Sequence, residues 1–251
     1  MARSTPSAAH ADRLAREMEH DRKIADRAEE IWNWDSPAGR RRADRRAGFF
    51  VEHASLGPGR RALEIGCGTG LFLERVARSG VRIHGMDLSA DLLARARARV
   101  GSLPNVSLQR GDAHHMPCPD ACFDAVYGSS ILHHLDLVAS LGEAHRVLRP
   151  GGQIVFTEPN ILNPQVAFMF LVGPRRYFGL SPDEMAFSRF RARTVLARLG
   201  FTAIAVEPFD FLHPSVPGPW VARVAHLGDR LEAVPVLREI AGSLLIRARK
   251  G

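Results

Sequence analysis

One glycine-rich segment constrains the fold of this chain more than any other. It spans residues 63–70, Leu-Glu-Ile-Gly-Cys-Gly-Thr-Gly, and joins an apolar run to a helical pattern. Glycines at such a junction let the backbone turn tightly and approach a ligand. The start of the following helix favours negative groups, so loops of this kind bind phosphates or carboxylates. The spacing G-x-G-x-G fits the dinucleotide fingerprint G-x-G-x-x-G poorly. A glycine turn that only packs helix on sheet is the alternative.

Short apolar runs alternate with helical patterns on both sides of this segment. The predicted strands are 61–65, 81–86, 106–110, 123–127, 153–157, 201–207 and 243–249. The predicted helices between them are 70–79, 89–100, 137–148, 194–199 and 220–234. This alternation predicts an α/β fold in which helices cover both faces of a parallel sheet. A length of 251 residues suits one such domain with additions.

Two additions depart from the alternation. Before it, residues 11–34 show helical spacing, and Ser36-Pro37 predicts the capped start of a second helix that ends near residue 53. After the fifth strand, residues 159–190 are apolar, irregular and rich in proline. We therefore divide the chain into a helical lid over residues 1–55 and a main domain over residues 56–251. Residues 159–190 form an insertion in that main domain.

Two aspartates follow the second and third predicted strands. Asp87 ends the second strand, where a carboxylate can accept two hydrogen bonds from a ribose diol. Asp112 ends the third strand, where it could accept a hydrogen bond from an exocyclic adenine amine. A lone aspartate is more often a cap or turn residue. Here, however, a glycine loop and two acids reach the same edge of the sheet, which is where ligands of open α/β sheets bind.

In these motifs the chain resembles the class I S-adenosylmethionine-dependent methyltransferases. It resembles most the small-molecule branch, type 11, which includes ubiquinone- and menaquinone-biosynthesis enzymes. The motifs are LEIGCGTG, GMDLS, GDAHHMP, FDAVYGSSILHHL and EAHRVLRPGGQIVFTEPN, all within residues 61–160. The resemblance implies a Rossmann-like, doubly wound, mostly parallel sheet of seven strands. It is highly specific for the cofactor and poorly specific for the substrate.

The resemblance implies a role for each residue of the glycine loop. Gly66, Cys67, Gly68 and Gly70 would wrap the methionine portion of S-adenosylmethionine. Glu64 would help to hold the amino end of the cofactor.

The resemblance also implies how the nucleoside would be held. Asp87 would bind the ribose hydroxyls, and Leu88 would pack on the adenine. Asp112 would accept a hydrogen bond from the adenine amine, with the backbone amide of Ala113 beside the ring.

Methyl transfer from a sulfonium is an in-line displacement in which positioning and desolvation carry most of the acceleration. Residues 127–130 would lie under the sulfonium, with Ser129 among the cofactor contacts. His133 and His134 are candidate bases for an acceptor that must lose a proton. A histidine that only bonds to backbone is the alternative for either. Glu158 could bind an amine or cap the insertion.

The acceptor pocket is expected between the lid and the insertion, because both supply apolar and aromatic side chains. These side chains are Trp32, Trp34, Phe168, Met169, Phe170, Tyr177, Phe178 and Phe187. They predict a small apolar, aromatic or lipid-like acceptor, unless they merely pack the lid on the core. Arg175 and Arg176 could recognise a carboxylate or phosphate on the acceptor. Their apolar surroundings also permit transient contact with a membrane.

The segment His-His-Met-Pro-Cys-Pro-Asp-Ala-Cys, residues 114–122, contains metal-binding residue types. Adjacent His114 and His115 cannot easily converge with Cys118 and Cys122 on one tetrahedral ion. We therefore predict no metal site, and the cysteines are interpreted as small buried or turn residues.

Charge and cysteine content bear on partners and compartment. The net charge is +7, but acidic residues are interleaved with the scattered arginines, which argues against a nucleic-acid partner. Three cysteines and a charged N-terminus without an apolar segment favour the cytosol. No pattern indicates an oligomeric state.

Three other functions remain open at this stage. An RNA or protein methyltransferase is one, although residues 127–130 do not form the (D/N)PPY type of motif. A catalytically silent relative that only binds the cofactor is another. An NAD-dependent oxidoreductase is the third.

Overall fold

The computed structural model describes residues 8–173 and 184–251 and contains one seven-stranded sheet. The strands are β1 Arg61–Ile65, β2 Arg82–Asp87, β3 Val106–Arg110, β4 Phe123–Ser129, β5 Leu148–Pro159, β6 Phe201–Phe209 and β7 Ser243–Lys250. Their order is β3-β2-β1-β4-β5-β7-β6. Strand β7 runs antiparallel to the other six strands, which all run in the same direction. This confirms the predicted doubly wound, mostly parallel sheet.

Helices cover both faces of the sheet. They are α1 Ala8–Ile24, α2 Ala28–Ile31, α3 Pro37–His53, α4 Leu71–Ala77, α5 Ala90–Val100, α6 Leu137–Val147, α7 Pro164–Ala167, α8 Arg189–Arg198, α9 Val221–Glu232 and α10 Pro235–Arg238. Apolar side chains of α3, α4 and α5 form one core layer, and those of α6 and α8 form the other. Alternate residues of the central strands supply the two layers, since successive strand side chains point to opposite faces.

The additions differ in detail from the sequence prediction. The first predicted helix, over residues 11–34, is divided into α1, a 3-10 turn and α2. Ser36 caps α3 as predicted, because its hydroxyl accepts a hydrogen bond from the amide of Gly39 at 2.9 Å. In the insertion, α7 continues into a π-helical turn, Phe168–Val172. Residues 174–183 of the insertion lie outside the described residues.

The strand register places the carboxyl ends of the parallel strands at one edge. Asp87 ends β2, and Ser129 ends β4 beside Thr157 of β5. The antiparallel β7 begins at the same edge, where Ser243 lies between Pro159 and Phe209. Residues at or next to one end of each of the seven strands therefore lie around one cleft, together with the lid. Within the described ranges, no helix is both long and apolar enough to span a bilayer.

Candidate functional site

A cavity of about 940 Å³ lies at this edge of the sheet, under the lid. Its size is near the upper end of ordinary ligand pockets, about 300–1,000 Å³, so it has room for a cofactor and an acceptor together. Ten of the twelve predicted site residues line it: Gly66, Cys67, Gly68, Asp87, Leu88, Asp112, Ala113, Ser129, His133 and His134. Glu64 and Gly70 are not among the lining residues.

The glycine loop is shaped by left-handed backbone that other residues adopt at a cost. Gly66 has φ 65°, and a Cβ there would clash with the side chain of Ile131 at 2.4 Å. Gly68 has φ 51°, and its missing Cβ would face the ring of Trp32 across the cavity at 3.5 Å. Gly70 instead packs against Ala96 of α5, which explains why it is needed although it lines no cavity.

Asp87 fixes the loop as well as facing the cavity. One carboxylate oxygen accepts a hydrogen bond from the amide of Gly68 at 2.7 Å, and the other accepts one from the amide of Ser89 at 2.9 Å. Burial raises the pKa of Asp87 despite these hydrogen bonds. The carboxylate therefore couples the second strand to the glycine loop.

Glu64 lies beneath the loop and is completely buried. Burial raises its pKa to about 8, so its carboxyl group is predominantly protonated at neutral pH. The carboxyl group of Glu64 and the hydroxyl of Tyr127 interact, but within the described residues neither Oε2 of Glu64 nor the Tyr127 hydroxyl meets the geometry of a hydrogen bond. The expected position of Tyr127 under a sulfonium is wrong. Its ring packs on Phe50 of α3, 5.0 Å between ring centres, because this strand position points into the α3 layer.

Asp112 is already engaged on both oxygens. One accepts hydrogen bonds from the amide and from Nδ1 of His114, and the other lies 2.8 Å from Nε2 of His10 on α1. Although burial opposes it, the hydrogen bonds from His114 hold the pKa of Asp112 well below its ordinary range. The first turn of the lid therefore occupies the acid that was predicted to receive the adenine amine.

Glu158 and His133 form a buried pair at the end of β4 and β5. The Glu158 carboxylate accepts hydrogen bonds from the amides of Ile131 and Leu132, each at 2.9 Å, and pairs with Nδ1 of His133 at 2.8 Å. A proton on Nδ1 leaves Nε2 of His133, which lies 3.7 Å from a Glu184 oxygen, as the acceptor nitrogen. In this structure Glu158 therefore orients His133.

His134 has a different environment. Its Nδ1 lies 3.2 Å from Glu17 and 3.7 Å from Glu184. Burial opposes protonation, but the hydrogen bond to Glu17 and the negative charges raise the pKa of His134 to about 9. It is therefore an imidazolium at neutral pH. Asp21, on the next turn of α1, has its pKa raised to about 7 by burial and by repulsion from Asp87.

Two groups of side chains in the described ranges are close enough to share a cation. The first group is His10, Asp112 and His114. Both ring nitrogens of His114 already have partners, because Nδ1 bonds to Asp112 and Nε2 accepts a hydrogen bond from the amide of Asp136. The second is His133, His134 and Glu184, whose ligand atoms lie within 4.8 Å of one another; Glu184 lies 3.7 Å from Nε2 of His133 and 3.7 Å from Nδ1 of His134.

The segment 114–122 is split between two environments. His114 is buried against Asp112. Cys118 and Cys122 lie at the opposite edge of the sheet, beside Arg61 and Phe123, the first residues of β1 and β4. The cysteines do not line the large cavity. The absence of a metal remains a prediction.

The aromatic residues predicted for the acceptor pocket divide into three groups. Trp32, Trp34, Met169 and Phe170 line the cavity. Phe168 is half exposed, and Phe187 is buried in the layer of α6 and α8. The remaining predicted residues, Arg175, Arg176, Tyr177 and Phe178, lie outside the described residues.

The sequence prediction missed several charged side chains that line the cavity. They are Arg13, Glu17, Asp21, Arg42, Arg46, Glu184 and Asp210. For α1 a signal was present: His10, Arg13, Glu17 and Asp21 recur at helical spacing on one face. In the sequence prediction the interleaved charges served only as an argument against a nucleic-acid partner.

Comparison with known proteins finds similarity to a family model in the central part of the chain. Residues 63–156 match the family model described as a methyltransferase domain. A probable S-adenosylmethionine-dependent methyltransferase of Mycolicibacterium smegmatis is 37% identical over 103 residues, which cover 41% of this chain and 39% of that protein. A demethylmenaquinone methyltransferase of Lysinibacillus sphaericus is 34% identical over 113 residues, 43% of this chain and 48% of that protein. The chain thus spans less than half the length of the curated relatives it matches first.

Among solved structures, the chain is similar to the [4+2]-cyclase SpnF. The two are 27% identical with a TM-score of 0.61, over 82% of this chain and 81% of that one. The similarity extends beyond the matched domain to most of the described fold.

Proposed function

We propose that the chain transfers a methyl group from S-adenosylmethionine to a small-molecule acceptor, because residues 63–156 match the methyltransferase domain model and the chain is similar to a probable S-adenosylmethionine-dependent methyltransferase. The observation that carries the proposal is the arrangement of Gly68, Asp87 and Asp112 around one cavity. The alignments cover less than half of the relatives, so the acceptor is argued from this chain's own residues.

The residues present fit the cofactor. A side chain at Gly68 would fill the space between the loop and Trp32, so the loop leaves a cradle for the methionine portion. Beneath it, the unpartnered Oε2 of Glu64 provides a hydrogen-bonding group near the expected amino end. Asp87 and Asp112 would hold the ribose and the adenine amine. Leu88 and Ala113 would flank the ring, and Ser129 would lie near the sulfur.

Bound S-adenosylmethionine supplies an electrophilic methyl group. The protein's part is to exclude water, to hold the acceptor atom in line with that methyl and to accept a proton where the acceptor must lose one. We assign the proton acceptor to Nε2 of His133, since Glu158 holds the other nitrogen. His134, with its pKa near 9, is a cation at neutral pH and is better suited to anchor Glu17 and Glu184 than to act as a base.

An aromatic or quinone-like acceptor is supported by the lining of the cavity. Trp32, Trp34, Met169 and Phe170 provide apolar surface beside the expected position of the sulfur. The Lysinibacillus relative is named for methylation of demethylmenaquinone, an aromatic acceptor of this chemical type. We propose the same class of acceptor for this chain. The labelled product of the assay identifies whether oxygen, nitrogen or carbon is methylated.

The proposal is tested first by cofactor binding. Calorimetry should show that wild-type protein binds S-adenosylmethionine. Asp87→Asn should weaken binding at least about tenfold, because the ribose loses a charged acceptor. Asp91→Asn, an exposed change in the first turn of α5, is the matched control and should bind normally. A folded wild-type protein that ignores the compound would refute the proposal.

Turnover is tested next with methyl-labelled cofactor and three acceptor sets: demethylated naphthoquinols, hydrophilic amines or nucleosides, and RNA or protein. Label should appear in the first set. Transfer only to hydrophilic acceptors would refute the apolar pocket, and transfer to RNA or protein would favour the macromolecular alternative.

A second candidate is a protein that uses the same site without methyl transfer. It is favoured by the similarity to SpnF, which is named as a cyclase and shows that chains of this fold serve other reactions. Binding of S-adenosylmethionine without label transfer to any acceptor would support this candidate.

A further inference from the structure

A second charged group lies in the same cavity, beside β6 and β7. Arg42 and Arg46, one turn apart on α3, both bind the carboxylate of Asp210 at the end of β6, at 2.8 and 2.9 Å. Arg46 also donates to the hydroxyl of Ser243 at 2.8 Å. We call Arg42, Arg46 and Asp210 the arginine cluster. The side chains of Arg46 and Asp210 are each 3% exposed.

The arginine cluster has one more positive charge than negative. The neighbouring Arg45 does not change this balance, because it has its own partner, Glu232, at 2.6 Å. Within the described part of the chain, Arg42 donates only through Nε. Its two terminal nitrogens are therefore available, and its side chain is 17% exposed in a cavity that it lines. A buried excess charge is costly unless an anion pairs with it.

The rest of the cluster holds Arg42 in place. Asp210 accepts the amide of Leu212 and donates its own amide to Glu232. Both guanidinium groups lie over the ring of Trp34, Arg42 at 5.5 Å and Arg46 at 5.3 Å. Arg42 is therefore a preorganised donor beside an aromatic surface, which is the arrangement that recognises an anion carried on an aromatic or apolar body.

The position of the arginine cluster suits the acceptor rather than the cofactor. The cofactor residues follow β1, β2, β3 and β4, whereas Asp210 follows β6 and Ser243 begins β7. Neighbouring strands lie about 4.8 Å apart, so β7 and β6 are about 10 and 14 Å from β4 across the edge. The cofactor's own charged end is expected at the glycine loop, on the other side of β4.

We propose that Arg42 binds an anionic group, a carboxylate, sulfonate or phosphate, carried by the acceptor about 10–14 Å from the atom that receives the methyl group. Arg46 and Asp210 are positioning residues for Arg42, and Trp34 supports the apolar body next to the anion. That the anion belongs to a methyl acceptor rests on the proposed function, but the anion site itself does not depend on turnover.

The test uses two fluorescent probes that share an aromatic body and differ in charge. They are 8-anilino-1-naphthalenesulfonate and the neutral N-phenyl-1-naphthylamine. Each is titrated into full-length wild-type protein, Arg42→Ala, Arg42→Lys, Arg42→Gln and the control Arg41→Ala. Arg41 lies on the same helix but is exposed and does not line the cavity. Titrations are repeated with S-adenosylhomocysteine, whose own affinity is measured by calorimetry.

We expect Arg42→Ala to lower the affinity for the sulfonate probe at least about tenfold and the affinity for the neutral probe less than about twofold. Arg42→Lys should recover part of the loss, and Arg41→Ala should match the wild type. Circular dichroism checks folding, and Arg42→Gln replaces Arg42→Ala if the latter does not fold. Equal effects on both probes, no effect of removing the Arg42 charge, or an equal effect of Arg41→Ala would overturn the inference. If the contrast between the two probes holds but neither the wild type nor any variant binds S-adenosylhomocysteine, the proposed function fails and the anion site stands.

Discussion

Gly68 offers a test that separates the cofactor cradle from the stability of the fold. Gly68 has φ 51° and lines the cavity, whereas Gly59, with φ 84° in the exposed turn before β1, has no atom within 4 Å of an added Cβ. Left-handed backbone costs a residue with a side chain about 1–2 kcal/mol. Gly68→Ala and Gly59→Ala should therefore each lower the free energy of unfolding by this amount, or the Tm by about 2–8 °C.

The two variants should differ in ligand binding. The Cβ at Gly68 would lie 3.5 Å from the Trp32 ring, an ordinary contact that the protein tolerates but that fills the proposed methionine site. Calorimetry should show affinity for S-adenosylmethionine reduced at least about tenfold, or 1.4 kcal/mol, in Gly68→Ala. Gly59→Ala should bind as the wild type does. If both variants bind equally well, or both lose binding, the cradle is not where we place it.

Three further predictions follow from buried groups. The pKa of Asp21 is raised to about 7, so the folded chain holds this proton longer than the unfolded chain, and the stability it contributes is lost as pH rises from about 4 to 7. The Tm of Asp21→Asn should therefore rise relative to the Tm of the wild type over that pH range and then stay at a constant offset. An offset that does not change with pH would contradict this. Glu158→Gln should lower turnover at least about tenfold with little change in cofactor affinity, because His133 loses its orienting partner. Glu143→Gln, which removes a carboxylate from the amide of Met116 outside the cavity, should leave turnover unchanged, and equal rates for the two variants would exclude the role of Glu158. Finally, EDTA should change neither cofactor affinity nor rate, and elemental analysis showing a stoichiometric metal would overturn the metal-free mechanism.

The cofactor side of the site could be predicted because its determinants are local. A glycine loop after β1 and acids after β2 and β3 reach one edge by strand direction alone, so Gly68, Asp87 and Asp112 meet as expected. Tyr127 was misplaced for an equally local reason. It shares with Ala125 the strand face that packs on α3, and this alternation was not applied to the end of β4.

The acceptor side depends on contacts that no local pattern encodes. Arg42 meets Asp210 across 168 residues of chain, and Glu17 meets His134 across 117. A helix face that carries charge at every turn looks the same in sequence whether it meets solvent or the wall of a cleft. Only the tertiary fold distinguishes the two, which is why the charged lining of the cavity was missed.

The contact between His10 and Asp112 has a consequence for how the lid opens. With adenine bound as proposed, the nucleoside and an imidazole of the chain itself compete for the same carboxylate oxygen. Binding of adenine at that oxygen would therefore require the first turn of α1 to give up its contact with Asp112.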